Sequence, residues 1–368
     1  MGDPHHRFPC VHIGGTNGKG SVAALVAEAL AVFGWRVALY TSPHLVSIRE
    51  RMVVAGRPIS EAAFAAWADR IRPLLDPTGA SFFEATTAIA FADFAARQAD
   101  VAVVEVGLGG RLDATNVVTP LASAVTHVAL DHTDYLGPTL EHVAREKAGI
   151  AKPGVPFVIG EPDPAIAALL ETTGRDAGAL PIRVAPAARY AGPLALRGPH
   201  QRRNAAVAEA VLGALPAPWR PPAEGVARAF ARTRLPGRYD RRGRWLFDVA
   251  HNPDGMQALR GALAADPPRR PLHALVCVLG DKDWVAMLGM LRGVVDAIWL
   301  TDAPSAPPGR SWDLAAAGRF LSPDARVEPD FARALAGVAE GAGTALICGS
   351  FHTVGDAMAR LPGFAPVG

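Results

Sequence analysis

Short apolar runs alternate with amphipathic segments along most of this chain, the rhythm of βαβ units that build a largely parallel sheet. The runs at 10–13, 37–40, 101–106, 122–128 and 157–159 predict strands. Between them an apolar cadence of three to four residues predicts helices over 21–33, 60–75, 86–97, 140–148 and 164–173. Ser60, Thr139 and Asp163 each stand just ahead of such a cadence, where a side-chain oxygen can cap the first turn. Two more helices, about 203–215 and 223–233, lead to the breaker Leu235-Pro236-Gly237-Arg238. Beyond it a second series begins, with strands at 245–249, 272–278, 297–300 and 345–348 and helices at 253–265, 285–291, 314–320, 331–341 and 353–361. The expectation is an α/β chain of two domains. Residues 1–234 would form a mostly parallel sheet with flanking helices, and 235–368 a smaller Rossmann-like α/β domain.

Composition narrows the function classes. Half of the 368 residues are apolar and the net charge is only +2, too little to argue for nucleic acid or an anionic membrane. The cluster Arg238, Arg241, Arg242 and Arg244 reads as a small anion site or a solvated turn. Cys10, Cys277 and Cys348 are scattered, with no pair at metal spacing, which fits a reducing compartment. No apolar stretch reaches the roughly 20 residues of a membrane span, and no apolar signal core precedes Val11. A cytoplasmic protein is expected, with a monomer as the default.

The strand at 10–13 runs straight into Gly14-Gly15-Thr16-Asn17-Gly18-Lys19-Gly20-Ser21. Glycines let backbone N–H groups approach an anion closely, because no Cβ intervenes. Lys19 adds a point charge, the following helix its positive N-terminal end, and Ser21 a hydroxyl suited to Mg²⁺. The spacing departs from G-x-x-x-x-G-K-[ST], since Gly20 separates Lys19 from Ser21. Nucleotide phosphates are the expected ligand.

In open α/β sheets ligands gather at the carboxyl ends of strands, and here the polar residues cluster there. Glu105 closes one apolar run ahead of Gly107-Leu108-Gly109-Gly110-Arg111-Leu112-Asp113; Leu130-Asp131-His132-Thr133-Asp134 follows another. Taken singly, a Glu105–Arg111 ion pair and a turn-capping Asp131 would account for them. Beside a phosphate loop, a divalent cation shared by Glu105, His132 and nucleotide oxygens accounts for them better. Lys147, near the end of a helix, reads from periodicity alone as a surface residue complementing the helix dipole. In the second domain Asp248 could accept a ribose hydroxyl, and His251 and Asn252 could face phosphate or an incoming nucleophile; both Asp248 and Asn252 could equally be helix caps. Gly280–Asp283 and Gly349–His352 end two more strands, and a ligand site between two domains is the economical expectation.

Gly15–Ser21 (G-T-N-G-K-G-S) resembles the phosphate loop of the dihydrofolate synthase/folylpolyglutamate synthase family of the Mur ligase superfamily, extra glycine included. The likeness continues through Thr41–Leu45, Phe82–Glu84, Glu105–Asn116 (E-V-G-L-G-G-R-L-D-A-T-N), Leu130–Gly137, Glu146–Ile150, Leu235–Arg238, Asp248–Pro253, Gly280–Asp283 and Gly349–Val354. It implies an ATP-binding central domain and a closing domain for glutamate and nucleotide. Asn17, Gly18, Lys19, Gly20 and Ser21 would bind the ATP phosphates, and Asn204, Arg238 and Asp248 the rest of the nucleotide, Asn204 at the adenine. Ser21, Ser42, Glu105, His132 and Lys147 would hold two Mg²⁺ ions, Lys147 after carbamylation. Ser81, Phe82, Phe83 and Glu84, with Leu112, Asp113 and Ala114, would contact the pterin. His251, Ser350 and His352 would lie about the glutamate or phosphate. Family members carry a longer segment ahead of the phosphate-loop strand than Met1–Pro9, so either the start lies upstream or the pterin is held differently.

The activity so implied is ATP-dependent amide formation. A carboxylate of dihydropteroate or of a folate's glutamyl tail takes the γ-phosphoryl group, and the amine of L-glutamate displaces phosphate from the acyl phosphate. Lys19 and Lys147 would serve that chemistry directly, with His251 beside them. The competing readings are a Mur-type ligase on another carboxylate and a P-loop ATPase or switch.

Overall fold

The computed structural model describes residues 1–367, the side chain of Asp76 aside. The chain divides into two compact units. Met1–His44, Ile48–Ala195 and Arg202–Arg234 form the first; Leu45–Ser47, Leu196–Gln201 and the residues from Leu235 on form the second.

The first unit holds β1 (Cys10–Gly14), β2 (Val37–Tyr40), β3 (Met52–Val54), β4 (Arg57–Pro58), β5 (Val101–Glu105), β6 (Ala122–Val125), β7 (Pro156–Ile159) and β8 (Leu180–Arg183). Its helices are α1 (Lys19–Val32), α2 (Glu61–Thr78), α3 (Phe82–Ala96), α4 (Thr133–Leu136), α5 (Leu140–Ala148), α6 (Pro164–Asp176), α7 (Pro199–Ala214, whose first turn clusters with the second unit) and α8 (Ala223–Phe230). The sheet order is β4-β3-β2-β5-β1-β6-β7-β8, parallel except where β3 meets β2 and β4. Thus β1 lies between β5 and β6, with Ile13 level with Glu105 on one side and Ala124 on the other. That register sets the turn after β1 between the two strands whose ends carry Glu105 and lead to His132. All of β1 and β5 is buried, which explains their unbroken apolar composition. α1 packs on β1, β2 and β5 and against α8, so it too is apolar nearly all round.

The second unit holds β9 (Asp240–Arg242), β10 (Trp245–Phe247), β11 (Leu272–Val276), β12 (Ala297–Leu300), β13 (Ala325–Val327) and β14 (Thr344–Cys348). Helices α9 (Pro253–Ala265), α10 (Trp284–Leu291), α11 (Leu314–Leu321), α12 (Phe331–Ala339) and α13 (Phe351–Arg360) flank them. The order is β13-β12-β11-β14-β10-β9, and only β9 runs antiparallel. Successive residues of the central strands serve opposite cores. Leu246, Val276 and Leu346 join one cluster with Met256 and Leu288. Phe247, Leu275 and Ile347 join another with Val338 and Met358, into which Leu45 and Val46 also pack.

Strands β8, β9 and β13 and helix α4 are not among the expected elements, α7 starts four residues early, and three further shifts have a local cause. α1 begins at Lys19, not 21, because Gly18 caps it at φ 88°, a left-handed turn that glycine takes without strain. α3 begins at Phe82, not 86, because Ser81 and Glu84 form a reciprocal capping box. The hairpin β3–β4 was missed: its turn is Ala55-Gly56, both at positive φ, rather than the Asn-Gly that signals such turns. Ser60, Thr139 and Asp163 do cap helices as expected, each accepting a first-turn N–H.

Candidate active site

The turn after β1 is pinned from β6 and the residues that follow it. Thr126 N–H donates to Gly14 O at 2.9 Å, its hydroxyl to Asn17 O at 2.7 Å, and Thr16 N–H to His127 O at 2.6 Å. Gly15 sits at φ 138°, and a Cβ there would lie 2.0 Å from Thr126 Oγ1. A Cβ on Gly18 would come within 2.5 Å of Asn204 Oδ1, so Asn204 stands directly against the turn. Lys19, Gly20 and Ser21 make the first turn of α1, whose leading N–H groups have no acceptor inside the helix. Ser21 is buried. The result is a cradle for an anion.

Two ammonium groups converge on it. Lys19 Nζ donates to Gly15 O at 3.0 Å and Thr16 O at 3.1 Å. Lys147 Nζ donates to the same Gly15 O at 3.0 Å. The surface-residue reading of Lys147 is therefore overturned: it is 3% exposed, on the inward face of α5. Burial, and secondarily the charge of Lys19, pull its pKa down to about 7, against the opposite pull of Asp131 and Asp113.

Glu105, 4% exposed, ends β5 beside this turn, and its Oε2 accepts the Ser42 N–H at 3.0 Å. The Glu105–Arg111 pair does not form; Arg111 instead reaches Glu146 with Nε at 3.1 Å and Nη2 at 2.9 Å. His132 occupies a left-handed conformation at φ 52°, with its N–H on Asp131 Oδ1 at 2.9 Å, and the short helix it opens has no side-chain cap. Among the described residues no three His, Cys, Asp or Glu side chains converge as a metal cluster. A cation here would draw on Glu105, serine hydroxyls and phosphate oxygens, hard donors that suit Mg²⁺.

The segments expected at the pterin flank the same sheet end. Phe82 is 62% exposed, with the Arg51 guanidinium 5.5 Å from its ring centre. Phe83 is packed against Gly107, where a Cβ would lie 2.3 Å from its ring. Ser81 and Glu84 are engaged in their capping box. Leu112 is 79% exposed and Ala114 opens a 3₁₀ turn, Ala114–Val117. Asp113 serves the loop itself. Its Oδ2 accepts the N–H groups of Gly107 and Leu108, its Oδ1 the N–H and hydroxyl of Thr115, which fills the four acceptor positions of a carboxylate.

In the second unit the buried Asp248 accepts Tyr239 N–H through Oδ2 and Ala250 N–H through Oδ1, both at 2.9 Å. Burial raises its pKa, while Arg238 and those two N–H groups oppose the rise. The Arg238 guanidinium lies 4.9 Å from the Phe351 ring centre. His251 Nδ1 bonds Val249 O at 2.9 Å. Asn252 caps α9 through Gly255 N–H, and buried Ser350 caps α13 through Thr353 N–H. His352 Nδ1 meets Ser305 Oγ at 3.0 Å, a hydroxyl that also reaches Asp356. Within the basic cluster Arg241 pairs with Asp266 and Arg242 with Asp240, whereas Arg244 is exposed beside the Gly243 turn.

Residues 13–179 match the Mur ligase middle domain and 232–351 the Mur ligase glutamate ligase domain. The chain is 36% identical to the dihydrofolate synthase/folylpolyglutamate synthase of Escherichia coli (strain K12), over 94% of this chain and 85% of that protein. The chain belongs to the dihydrofolate synthase/folylpolyglutamate synthase family. It is accordingly an ATP-dependent, amide-forming ligase. E. coli FolC in complex with DHPP and ADP has the same fold at TM-score 0.87 and 32% identity, covering 97% of this chain and 90% of that one. A bifunctional folylpolyglutamate synthase/dihydrofolate synthase with Mn, AMPPNP and L-glutamate bound superposes at TM-score 0.84 and 32% identity, covering 95% and 89%.

Against that family background, sequence reasoning passed over Arg51 and Ser305, and took in Phe351 only as part of Gly349–His352. Arg51 lies in the charged run Arg49-Glu50-Arg51, yet it is buried and its Nε donates to His44 Nδ1 at 2.9 Å. Burial pushes its pKa below the ordinary arginine value, against the pull of Tyr40, Glu105 and Glu50. Ser305 sits in a Pro-rich loop with no periodic signal.

Proposed function

We propose that this chain joins L-glutamate to dihydropteroate, to the glutamyl tail of a folate, or to both, through an acyl phosphate. The observation that carries the reading is the pair of lysines on the Gly15 carbonyl, inside a glycine turn flanked by Glu105. It puts the Lys19 ammonium, and a second lysine whose amine can be converted to a carbamate, where a γ-phosphoryl group would transfer. Lys19 and the first-turn N–H groups of α1 hold the phosphates, and Asn204 stands at the turn to meet the nucleotide. The acceptor carboxylate attacks the γ-phosphorus and ADP leaves. The glutamate amine then attacks the acyl carbon, loses a proton and expels phosphate. Phe82, Leu112 and the backbone of 112–114 offer the apolar contact for a pterin, with Arg51 stacked behind Phe82. Arg238, Asp248, His251, Ser350 and His352 serve nucleotide and glutamate from the second unit.

Ser21, Ser42, Glu105 and His132 would hold Mg²⁺, which when bound neutralises charge on the phosphoryl oxygens. A second ion fits if Lys147 is carbamylated. A buried amine with a pKa of about 7 is substantially neutral near neutral pH, so its lone pair can add to CO₂ with release of one proton. The N–H that the carbamate keeps still suits the bond to Gly15 O. The enzyme is read as a cytoplasmic monomer. Its three cysteines are buried and unpaired, and among the described residues no helix is long and apolar enough to cross a membrane. The test is ADP release by purified chain. Release that requires both a pteroate or folate and L-glutamate supports the ligase; ATP turnover indifferent to both supports a switch.

A further inference from the structure

We propose that His12 is a positioning residue for the acceptor: through Thr115 it fixes the Asp113 carboxylate that shapes loop 107–115, and so ties the phosphate-loop strand to the segment facing the pteroate. The proposal rests on the ligase reading for the identity of the acceptor.

His12 is an imidazole in the middle of β1, between Val104 and Ser123, and wholly buried. An apolar residue would fill that place without desolvating a polar group, so the imidazole needs a reason. Its Nε2 lies 2.8 Å from Thr115 Oγ1. Thr115 has one hydroxyl proton and gives it to Asp113 Oδ1. His12 must therefore donate, which places its proton on Nε2. Its Nδ1, the accepting nitrogen of that tautomer, is buried with no hydrogen-bond partner, a cost the strand position carries to keep the Nε2 donor in place. The chain of donors runs one way, from His12 to Thr115 to Asp113. Asp113 in turn gathers Gly107 and Leu108, and the exposed Leu112 rides on the loop so closed. Burial, with the nearby Lys152, pulls the His12 pKa down to about 3, so the ring stays a single-proton donor across the working pH range.

The test compares Thr115→Val, which keeps shape and removes the hydroxyl, with Thr115→Ser, which keeps the hydroxyl, and His12→Leu with His12→Gln. For Thr115→Val the KM for the pteroate or folate acceptor is expected to rise about tenfold, the scale of a lost bond to a charged group. The KM for ATP and kcat should stay within about twofold, and Thr115→Ser and His12→Gln should recover most of the loss. Acceptor and ATP KM rising together, or no change in either, overturns the proposal. Nitrogen NMR of the wild-type histidines provides a reading independent of turnover: a protected Nε2–H on His12 supports the relay, and an Nδ1–H tautomer overturns it. A wild-type chain that ligates no acceptor removes the ligase reading and the acceptor role together. Wild-type ligation with unaltered Thr115→Val kinetics removes the acceptor role alone.

Discussion

The carbonyl of Gly15 accepts two ammonium groups, Lys19 Nζ and Lys147 Nζ, each at 3.0 Å. The nitrogens are thus at most 6.0 Å apart, the sum of those two distances. Like charges so close repel in a protein interior, and an anion relieves them. The turn holds this pattern because the Gly15 carbonyl points at both ammonium groups while the Thr16 N–H is taken by His127 O. Lys19→Ala is expected to lower ligation about a hundredfold or more, with thermal unfolding unchanged within a few degrees. Near-normal synthesis by that variant would remove Lys19 from its role.

Lys147 is expected to carry a carbamate in the active protein. Incubation with isotopically labelled bicarbonate should give a carbamate carbon signal in the wild type and none in Lys147→Arg, whose guanidinium does not add CO₂. Ligation by that variant should drop at least about tenfold. An unlabelled, fully active wild-type chain would restrict Lys147 to its ammonium form.

Gly15 tolerates no side chain. With φ at 138° and Thr126 Oγ1 2.0 Å from the Cβ position, Gly15→Ala should destabilise the first unit by about 2 kcal/mol or more. Gly56→Ala, at φ 71° in open space, is the matched control and should cost only about 1 kcal/mol. Chemical denaturation of both variants measures the difference, and equal losses would deny the crowding at Gly15.

Two histidines, His12 buried and His200 partly so, make the fold acid-sensitive. Burial pulls His12 down to about 3 and His200 to about 4, below the unfolded value of 6.5. The unfolded chain therefore binds more protons than the folded one between those values, and stability falls as pH drops through that window. Each histidine contributes a slope of about 1.4 kcal/mol per pH unit at most. Denaturation midpoints from pH 6.5 downward should fall less steeply in His200→Gln than in the wild type; parallel curves would show His200 to be solvated.

Much of this site could be read before any coordinates. Glu105 does end a strand and the glycine turn does follow β1 into a helix, as their local signals predict. What failed to show was long-range. Lys147 looks like a helix-end lysine until α5 is seen to turn it inward onto Gly15, 132 residues away in sequence. Arg51 sits in a charged run whose burial depends on neighbouring elements. The partner of Arg111 proved to be Glu146, not the nearer Glu105, because α5 returns to the loop. Asp113 and Asp248 read as ligand carboxylates, yet both hold backbone N–H groups, a demand set by loop closure that no spacing rule encodes.

The passage of an acceptor oxygen into phosphate tests the mechanism most directly. With the acceptor carboxylate labelled in heavy oxygen, and ATP, Mg²⁺ and L-glutamate supplied, each turnover should deliver one labelled oxygen to the released inorganic phosphate and leave one in the new amide. Amide product formed while the phosphate stays unlabelled would contradict an acyl phosphate made over the Gly15 turn.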